Sequence, residues 1–362
     1  MSETAAEAIL SIEQLTLALP ADADRAFAVE GVSLALHPRQ ILCVVGESGS
    51  GKTVCASAVM GLLPGEIRAV AGAIRFEGRD LLKLPAAEWR TLRGRRIAMI
   101  FQEPMTALNP VIRIGDQIME AFEAHGHLAL AERRARTRAL AEEVGLRDLD
   151  RIINSYPHQL SGGQRQRAMI AMALALEPSI LVADEPTTAL DVTTQAQILR
   201  LIRDIQQRRG MAVLFITHDF GVVADIADRV AVMEKGHVVE QGSVVDVLAR
   251  PRHPYTPRLL AAADVLAMAD FLAALAELAA ARNYIRPTLV DDVTLTIREG
   301  RHPVLDQTLP PGTFVPNDVD LDGDGGLFWL ITGPNMSGKS TFIRQVALLT
   351  LMAHAGSFVP AK

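Results

Sequence analysis

The residues most able to do chemistry lie in short polar stretches that follow apolar runs. Gly46-Glu47-Ser48-Gly49-Ser50-Gly51-Lys52-Thr53 sits between the apolar "QILCVV" and a helix-forming stretch. Its glycines let backbone N–H groups converge on phosphate oxygens, and the helix start adds partial positive charge. Lys52 can reach β and γ phosphates, and the Thr53 hydroxyl can ligate Mg²⁺. Asp184 closes the apolar "ILVAD", which places a carboxylate where it can hold Mg²⁺ through water. Glu185, beside it, can orient and deprotonate an attacking water. His218, after "LFIT", and Gln102, after "RIAMIF", stand at the ends of two further apolar runs. There an imidazole can contact a γ-phosphate, and an amide can approach metal and water.

Two other stretches have the same bias toward anions. "LSGGQRQR" places Ser161, Gly162, Gly163 and Gln164 at a helix start, a second anion-binding surface with a favourable dipole. One protomer has no need of two cradles for one nucleotide. A two-fold dimer does, each ATP lying between one subunit's loop and the other's Ser161-Gly162-Gly163. The remaining stretch is "LITGPNMSGKSTFIRQVALL", which holds a second phosphate loop; 23 residues follow its Lys339.

The elements that must position these groups alternate. Residues 8–46 read as three strands, the last buried and feeding the first loop. A helix from Gly51, strands at "AIRFEG" and "RIAMIFQ", and helical spacing over 112–154 follow. "SILVAD" and "MAVLFITHD" are strands separated by the helical "TTQAQILRLIRDIQQRRG", which implies a parallel sheet with helices on both faces. "RVAVMEKGHVVEQG" reads as a hairpin turning at Lys235-Gly236. The alanine-rich stretch 258–282 reads as one helix, or two end to end. Beyond it, "LTIREGRHPVL" reads as strand and turn, "FVPNDVDLDGDGG" as an acidic turn-rich loop, and "LFWLITG" as a buried strand.

Loop, Gln102, Ser161 segment, Asp184-Glu185, "TALD" and His218, in this order, make residues 1–260 resemble the ATP-binding subunits of ABC transporters. "GESGSGKT", "IFQEPMTALNP", "ADEPTTALDVTTQAQIL" and "RHPYTPRLLAA" narrow the resemblance to the dipeptide, oligopeptide and nickel importers. The resemblance implies an α/β fold: a parallel-sheet core with an antiparallel β-subdomain and a helical subdomain. It also implies ATP and Mg²⁺ as cofactors and a dimer that ATP closes and hydrolysis reopens. A groove near Gln102 would grip a separate membrane permease subunit, and a solute-binding protein would act indirectly. The subunit would sit peripherally on the cytoplasmic side of the membrane. The expected adenine-stacking aromatic has Phe27 as its nearest candidate, for which a core role is equally open.

Residues 264–362 resemble another family, the MutS mismatch-repair ATPases, through "GPNMSGKSTFIRQVALL" and "GSFVPA". The matched part is the end of the lever helices and the start of the ATPase domain, and the resemblance implies that Gly333, Asn335, Ser337, Gly338, Lys339, Ser340 and Thr341 cradle phosphates and Mg²⁺. The division expected is therefore a cassette over 1–260, a helical connector over 261–283, and an incomplete P-loop α/β segment over 284–362. The joint implies an in-frame fusion with a vestigial tail; a regulatory tail is the alternative.

Composition bounds these readings. With 362 residues, 49% hydrophobic and 22% charged, the chain has room for a cassette plus an appendage. A net charge of −6 argues against a DNA-binding field, which weakens the rival reading of a DNA-transaction ATPase. A third reading, a soluble ABC protein acting without a transporter, would want two full cassettes. No continuous apolar run reaches a membrane span, and the acidic N-terminus lacks the order of a signal peptide. Cys43 and Cys55 are expected in the core.

Overall fold

In the computed structural model, the structure describes residues 7–103, 107–126, 128–188, 190–310, 313–322, 328–334 and 338–362. Two units follow one another along the chain, Met1–Ala263 and Asp264–Lys362.

The first unit begins with three strands, β1 (Leu10–Ala18), β2 (Phe27–Leu36) and β3 (Ile41–Val45), then helix α1 (Lys52–Val59). β4 (Arg68–Phe76), β5 (Arg79–Asp80), α2 (Ala86–Leu92) and β6 (Ile97–Ile100) follow. A helical insertion comes next: α3 (Ile114–His125), α4 (Leu130–Glu143), α5 (Leu149–Asn154) and α6 (Gly162–Leu174). The chain then returns through β7 (Ile180–Asp184), α7 (Val192–Arg209), β8 (Ala212–Thr217), α8 (Phe220–Ile226), β9 (Arg229–Glu234), β10 (His237–Ser243) and α9 (Val244–Ala249).

Two sheets result. β2-β1-β4-β5 is antiparallel, and β10-β9-β3-β8-β7-β6 is parallel except for the edge strand β10. Every residue of β3, β7 and β8 is buried, as expected of strands covered on both faces. Their side chains alternate between two cores. Cys43, Leu181 and Phe215 face a core shared with the helical insertion. Leu42, Val182 and Leu214 face one shared with the antiparallel sheet. Both cysteines are buried, and desolvation raises both thiols, Cys55 to about 12. The β9–β10 hairpin turns at Lys235 and Gly236, both with positive φ, the backbone that a tight two-residue hairpin asks for.

Helix α10 (Tyr255–Arg282) is a single helix of 28 residues. No continuous apolar run in it reaches a membrane span, as expected, but the helix as a whole does by average hydropathy. An 18-residue window has mean hydropathy 2.0 with at most two charged residues, so the helix is long and apolar enough to cross a membrane by length and composition. Counting only unbroken apolar runs missed it, because Asp264, Asp270 and Glu277 interrupt the run.

The second unit holds β11 (Leu295–Gly300), α11 (Leu305–Thr308), β12 (Asn317–Leu321) and α12 (Lys339–His354). β11 and β12 pair antiparallel over a small core of Ile297, Val319, Leu349, Val359 and Ala361. Two expectations fail here. Part of the stretch read as an acidic loop is β12, because Val319 can face that core while its flanking acids face out. "LFWLITG" is neither buried nor a strand over its described residues, 328–333: Phe328 is 83% and Leu330 79% exposed. An apolar run becomes a strand only where another strand pairs with it.

Candidate functional site

The chemistry gathers at the carboxyl ends of four adjacent parallel strands, the usual ligand edge of an open α/β sheet. β3 feeds the loop 46–53, β7 ends at Asp184, β8 leads into His218, and β6 leads into Gln102. The neighbour order β3-β8-β7-β6 brings together side chains as far apart in sequence as Lys52 and His218.

The loop is built by two close approaches. A Cβ on Gly46 would lie 2.2 Å from the Met233 carbonyl oxygen, and one on Gly51 2.6 Å from that of Ala28. Both residues have positive φ, 154° and 103°, where a side chain adds strain. Lys52 is 5% exposed and donates to Gly46 O at 2.7 Å, Glu47 O at 2.8 Å and Ser50 Oγ at 3.4 Å. Desolvation lowers its pKa, while Glu185, Asp184 and Glu47 raise it. A Cβ on Gly49 would meet nothing within 4 Å, so the loop's crest is open to a phosphate.

Thr53 Oγ1 donates to Asp184 Oδ1 at 3.2 Å. Asp184 is 3% exposed, and desolvation pushes its carboxyl up to about 6; the Thr53 bond and Lys52 pull it down and Glu185 raises it. Next to it, Glu185 has φ 45°, a backbone that turns its side chain away from the strand. Glu185 Oε1 lies 3.2 Å from His218 Nδ1, and its Oε2 accepts from Gln102 Nε2 at 3.1 Å and Thr188 Oγ1 at 3.1 Å. In the sequence Thr188 stood only as the first residue of "TALD", with no role at Glu185; its place three residues after Glu185, within one turn, was the available signal.

Oxygen donors dominate this cluster: the Thr53 hydroxyl, the Asp184 and Glu185 carboxylates and the Gln102 amide. They suit Mg²⁺, which takes one or two carboxylates and draws its other ligands from phosphate and water. A buried carboxylate held above its usual range is a group for which a cation would be a fitting partner. No group of three or more His, Cys, Asp or Glu side chains that could hold a metal by themselves occurs among the described residues.

Ser161 and Gln164 are used differently. Ser161 caps α6: its Oγ accepts from Gln164 N at 3.3 Å, and Gln164 Oε1 accepts from Ser161 N at 3.0 Å. The Gln164 side chain is thus engaged in a capping box, and within this chain the segment shares no hydrogen bond with the Glu185 cluster among the described residues. A Cβ on Gly163 would lie 2.7 Å from Thr194 Cγ2, and one on Gly162 3.5 Å from Leu190 Cδ2. The missing side chain of Gly163 lets the cap lie against the start of α7, whereas at Gly162 a Cβ would make only an ordinary contact.

In the second unit, Lys339 begins α12 and donates to the carbonyls of Gly333 and Pro334. Gly338, its N-cap, has φ 87°. Ser340 and Thr341 lie in the first turn of α12. Asn335 and Ser337 lie outside the described residues. No hydroxyl–carboxylate pair like Thr53–Asp184 accompanies this loop among the described residues.

Residues 29–188 match the family described as ABC transporter, and residues 329–362 match MutS domain V. Over 263 residues the chain is 51% identical to the peptidoglycan transport ATP-binding protein YejF of Agrobacterium fabrum, which covers 72% of this chain and 48% of that protein. Over 260 residues it is 49% identical to a probable peptide ABC transporter ATP-binding protein of Sinorhizobium fredii, covering 72% of this chain and 78% of that one. The glutathione import ATP-binding protein GsiA of Escherichia coli O157:H7 is 48% identical over 264 residues, 71% of this chain and 42% of that protein. The chain thus spans about half the length of the first and less than half of the third. Among solved structures, the ATP-binding cassette MJ0796, a dimer in a post-hydrolysis state with ADP and Pi, superposes with a TM-score of 0.58 at 27% identity, over 65% of this chain and 98% of that one. The cassette cbiO1 from Clostridium perfringens gives 0.59 at 26% identity, over 67% and 92%.

Proposed function

The chain belongs to the ATP-binding proteins of ABC transporters, and we propose that its first unit hydrolyses ATP to drive import of a peptide-like solute. The observation that carries this reading is the Glu185 carboxylate held by His218, Gln102 and Thr188 beside the Thr53–Asp184 pair. The loop 46–53 binds the phosphates through its N–H groups and Lys52, and Thr53, Asp184 and Gln102 hold the cation. When bound, Mg²⁺ neutralises charge developing on the phosphates. Glu185 accepts a proton from the attacking water, and His218 and Gln102 fix the carboxylate's orientation so that one oxygen faces that water. His218 also reaches toward the γ-phosphate, where its ring can hydrogen-bond.

Ser161-Gly162-Gly163 supports a dimer in which each α6 N-terminus meets the nucleotide held by the other subunit. The partners are then a second nucleotide-binding subunit and membrane permease subunits, with a solute-binding protein acting through them, at the cytoplasmic face. Relatives named for peptide, peptidoglycan and glutathione transport favour short peptides as solutes. The deciding experiment is uptake by vesicles carrying the chain with its permease subunits. ATP-dependent accumulation of a labelled short peptide, lost on Glu185→Gln, supports the reading; accumulation that survives the substitution refutes it.

For residues 264–362 the reading is a MutS-like piece joined in frame and without catalytic power, supported by the 34-residue match and by the unaccompanied Lys339 loop. Saturable ATP binding that persists in Lys52→Ala and disappears on adding Lys339→Ala would sink the vestigial part of it.

A further inference from the structure

One contact ties the end of the first unit to its phosphate loop. The Glu47 N–H donates to the Tyr255 hydroxyl at 3.4 Å, across 208 residues of sequence. That N–H belongs to the Gly46–Glu47 peptide, whose carbonyl accepts from Lys52 Nζ at 2.7 Å. Both polar groups of one peptide are therefore engaged, one by Tyr255 and one by the lysine. Gly46 has φ 154°, and a glycine flank leaves a peptide little steric resistance to rotation. With the Tyr255 bond absent, rotation of this peptide would take an acceptor away from Lys52.

Tyr255 is itself held in place. Glu240, on β10, accepts from Arg252 N at 2.7 Å, from His253 N at 3.2 Å and from the Thr256 hydroxyl. Thr256 is fully buried, and Tyr255 N donates to His253 Nδ1 at 3.3 Å. A carboxylate on the central sheet thus anchors the backbone on both sides of the tyrosine, and the ring is partly buried.

We propose that Tyr255 is a positioning residue for nucleotide binding: anchored through Glu240, it pins the Gly46–Glu47 peptide and so sets where the Lys52 ammonium meets the nucleotide's phosphates. The segment after β10 then tunes nucleotide affinity rather than the chemical step. Lys52 meets the phosphates in ground state and transition state alike, so loosening it weakens binding uniformly and raises KM with kcat unchanged. The inference rests on the ATP-binding reading of the first loop.

The test uses the full 362-residue chain. Tyr255→Phe keeps the ring and removes the hydroxyl. It should weaken binding of Mg·ATP about two- to tenfold, the range of one net hydrogen bond. Inorganic triphosphate should weaken by the same factor, because the effect lies in the loop and not at the base. KM should rise with kcat unchanged, and the thermal midpoint should stay put. Glu240→Gln should weaken binding too, and the double variant should lose no more than the worse single, since both act through one contact. Wild-type affinity in Tyr255→Phe, a fall in kcat instead of a rise in KM, or additive losses in the double variant would overturn the proposal. Lys52→Ala separates the two failures. If it binds as wild type, the ATP-binding reading fails; if it loses binding while Tyr255→Phe does not, only the role of Tyr255 fails.

Discussion

His218 Nδ1 stands 3.2 Å from Glu185 Oε1 while Gln102 Nε2 takes the carboxylate's other oxygen at 3.1 Å. A carboxylate gripped on both oxygens is oriented, yet it keeps lone pairs for a water. Glu185→Gln preserves the shape and removes the basicity. ATP turnover should fall by about 10²-fold or more, with Mg·ATP affinity within about twofold of wild type, as steady-state assays and calorimetry would register. Turnover near the wild-type rate would take the base assignment away from Glu185.

Asp184 carries a pH dependence. Desolvation holds its carboxyl at about 6, against 3.8 for the free group. The folded chain binds this proton more tightly than the unfolded one. Its contribution to stability is therefore fully present below 3.8 and lost as pH rises through about 6. Mg²⁺ needs the ionised form, so its affinity should move the opposite way, weakening about tenfold per unit as pH falls below about 6. A Mg²⁺ titration at fixed ATP over this range would reveal the slope, and Asp184→Asn should flatten it.

Gly46→Ala should damage the fold and the site together. The new methyl would lie 2.2 Å from a backbone oxygen of Met233, and backbone cannot swing aside as a side-chain tip can. A loss of about 2 kcal/mol or more is expected, visible as a thermal midpoint several degrees lower and as lost ATP binding. A midpoint equal to wild type would mean that the loop relaxes away from Met233.

The two loop lysines should behave differently. Lys52 is buried beside Asp184 and Glu185, whereas among the described residues Lys339 bonds to the carbonyls of Gly333 and Pro334. Lys52→Ala should lose Mg·ATP binding, and turnover with it at ordinary ATP concentrations, whereas Lys339→Ala should leave turnover unchanged. A drop on Lys339→Ala would assign the second loop a share in hydrolysis.

The first unit was legible because its chemistry is written locally. A glycine loop after a buried strand, an acid pair closing another, and a histidine after a third each announce themselves within a few residues. That the sheet is parallel and covered by helices then follows from strands buried on both faces; its strand order does not. What was not legible depends on partners distant in sequence. "LFWLITG" has the composition of a buried strand, yet its described residues, 328–333, lie exposed and unpaired, since composition carries no information about whether a neighbour exists. β12 hid in an acidic stretch because a strand with one buried residue, Val319, looks like a loop. The capping box that engages Gln164 was not foreseen because the same residue types serve helix caps and anion cradles. Tyr255 was passed over because its contact, Glu47, lies 208 positions away.

The placement of the two cysteines has a practical use. Cys43 faces the core under the helical insertion, Cys55 faces the core under the antiparallel sheet, and both are within 3% of full burial. The second unit contains no cysteine. A thiol reagent added to the intact chain therefore keeps two clocks, one in each layer of the cassette, and neither hears the tail. Equal labelling rates would mean that the layers open as one cooperative body; unequal rates would mean that the sheet is a seam along which one layer can peel from the other.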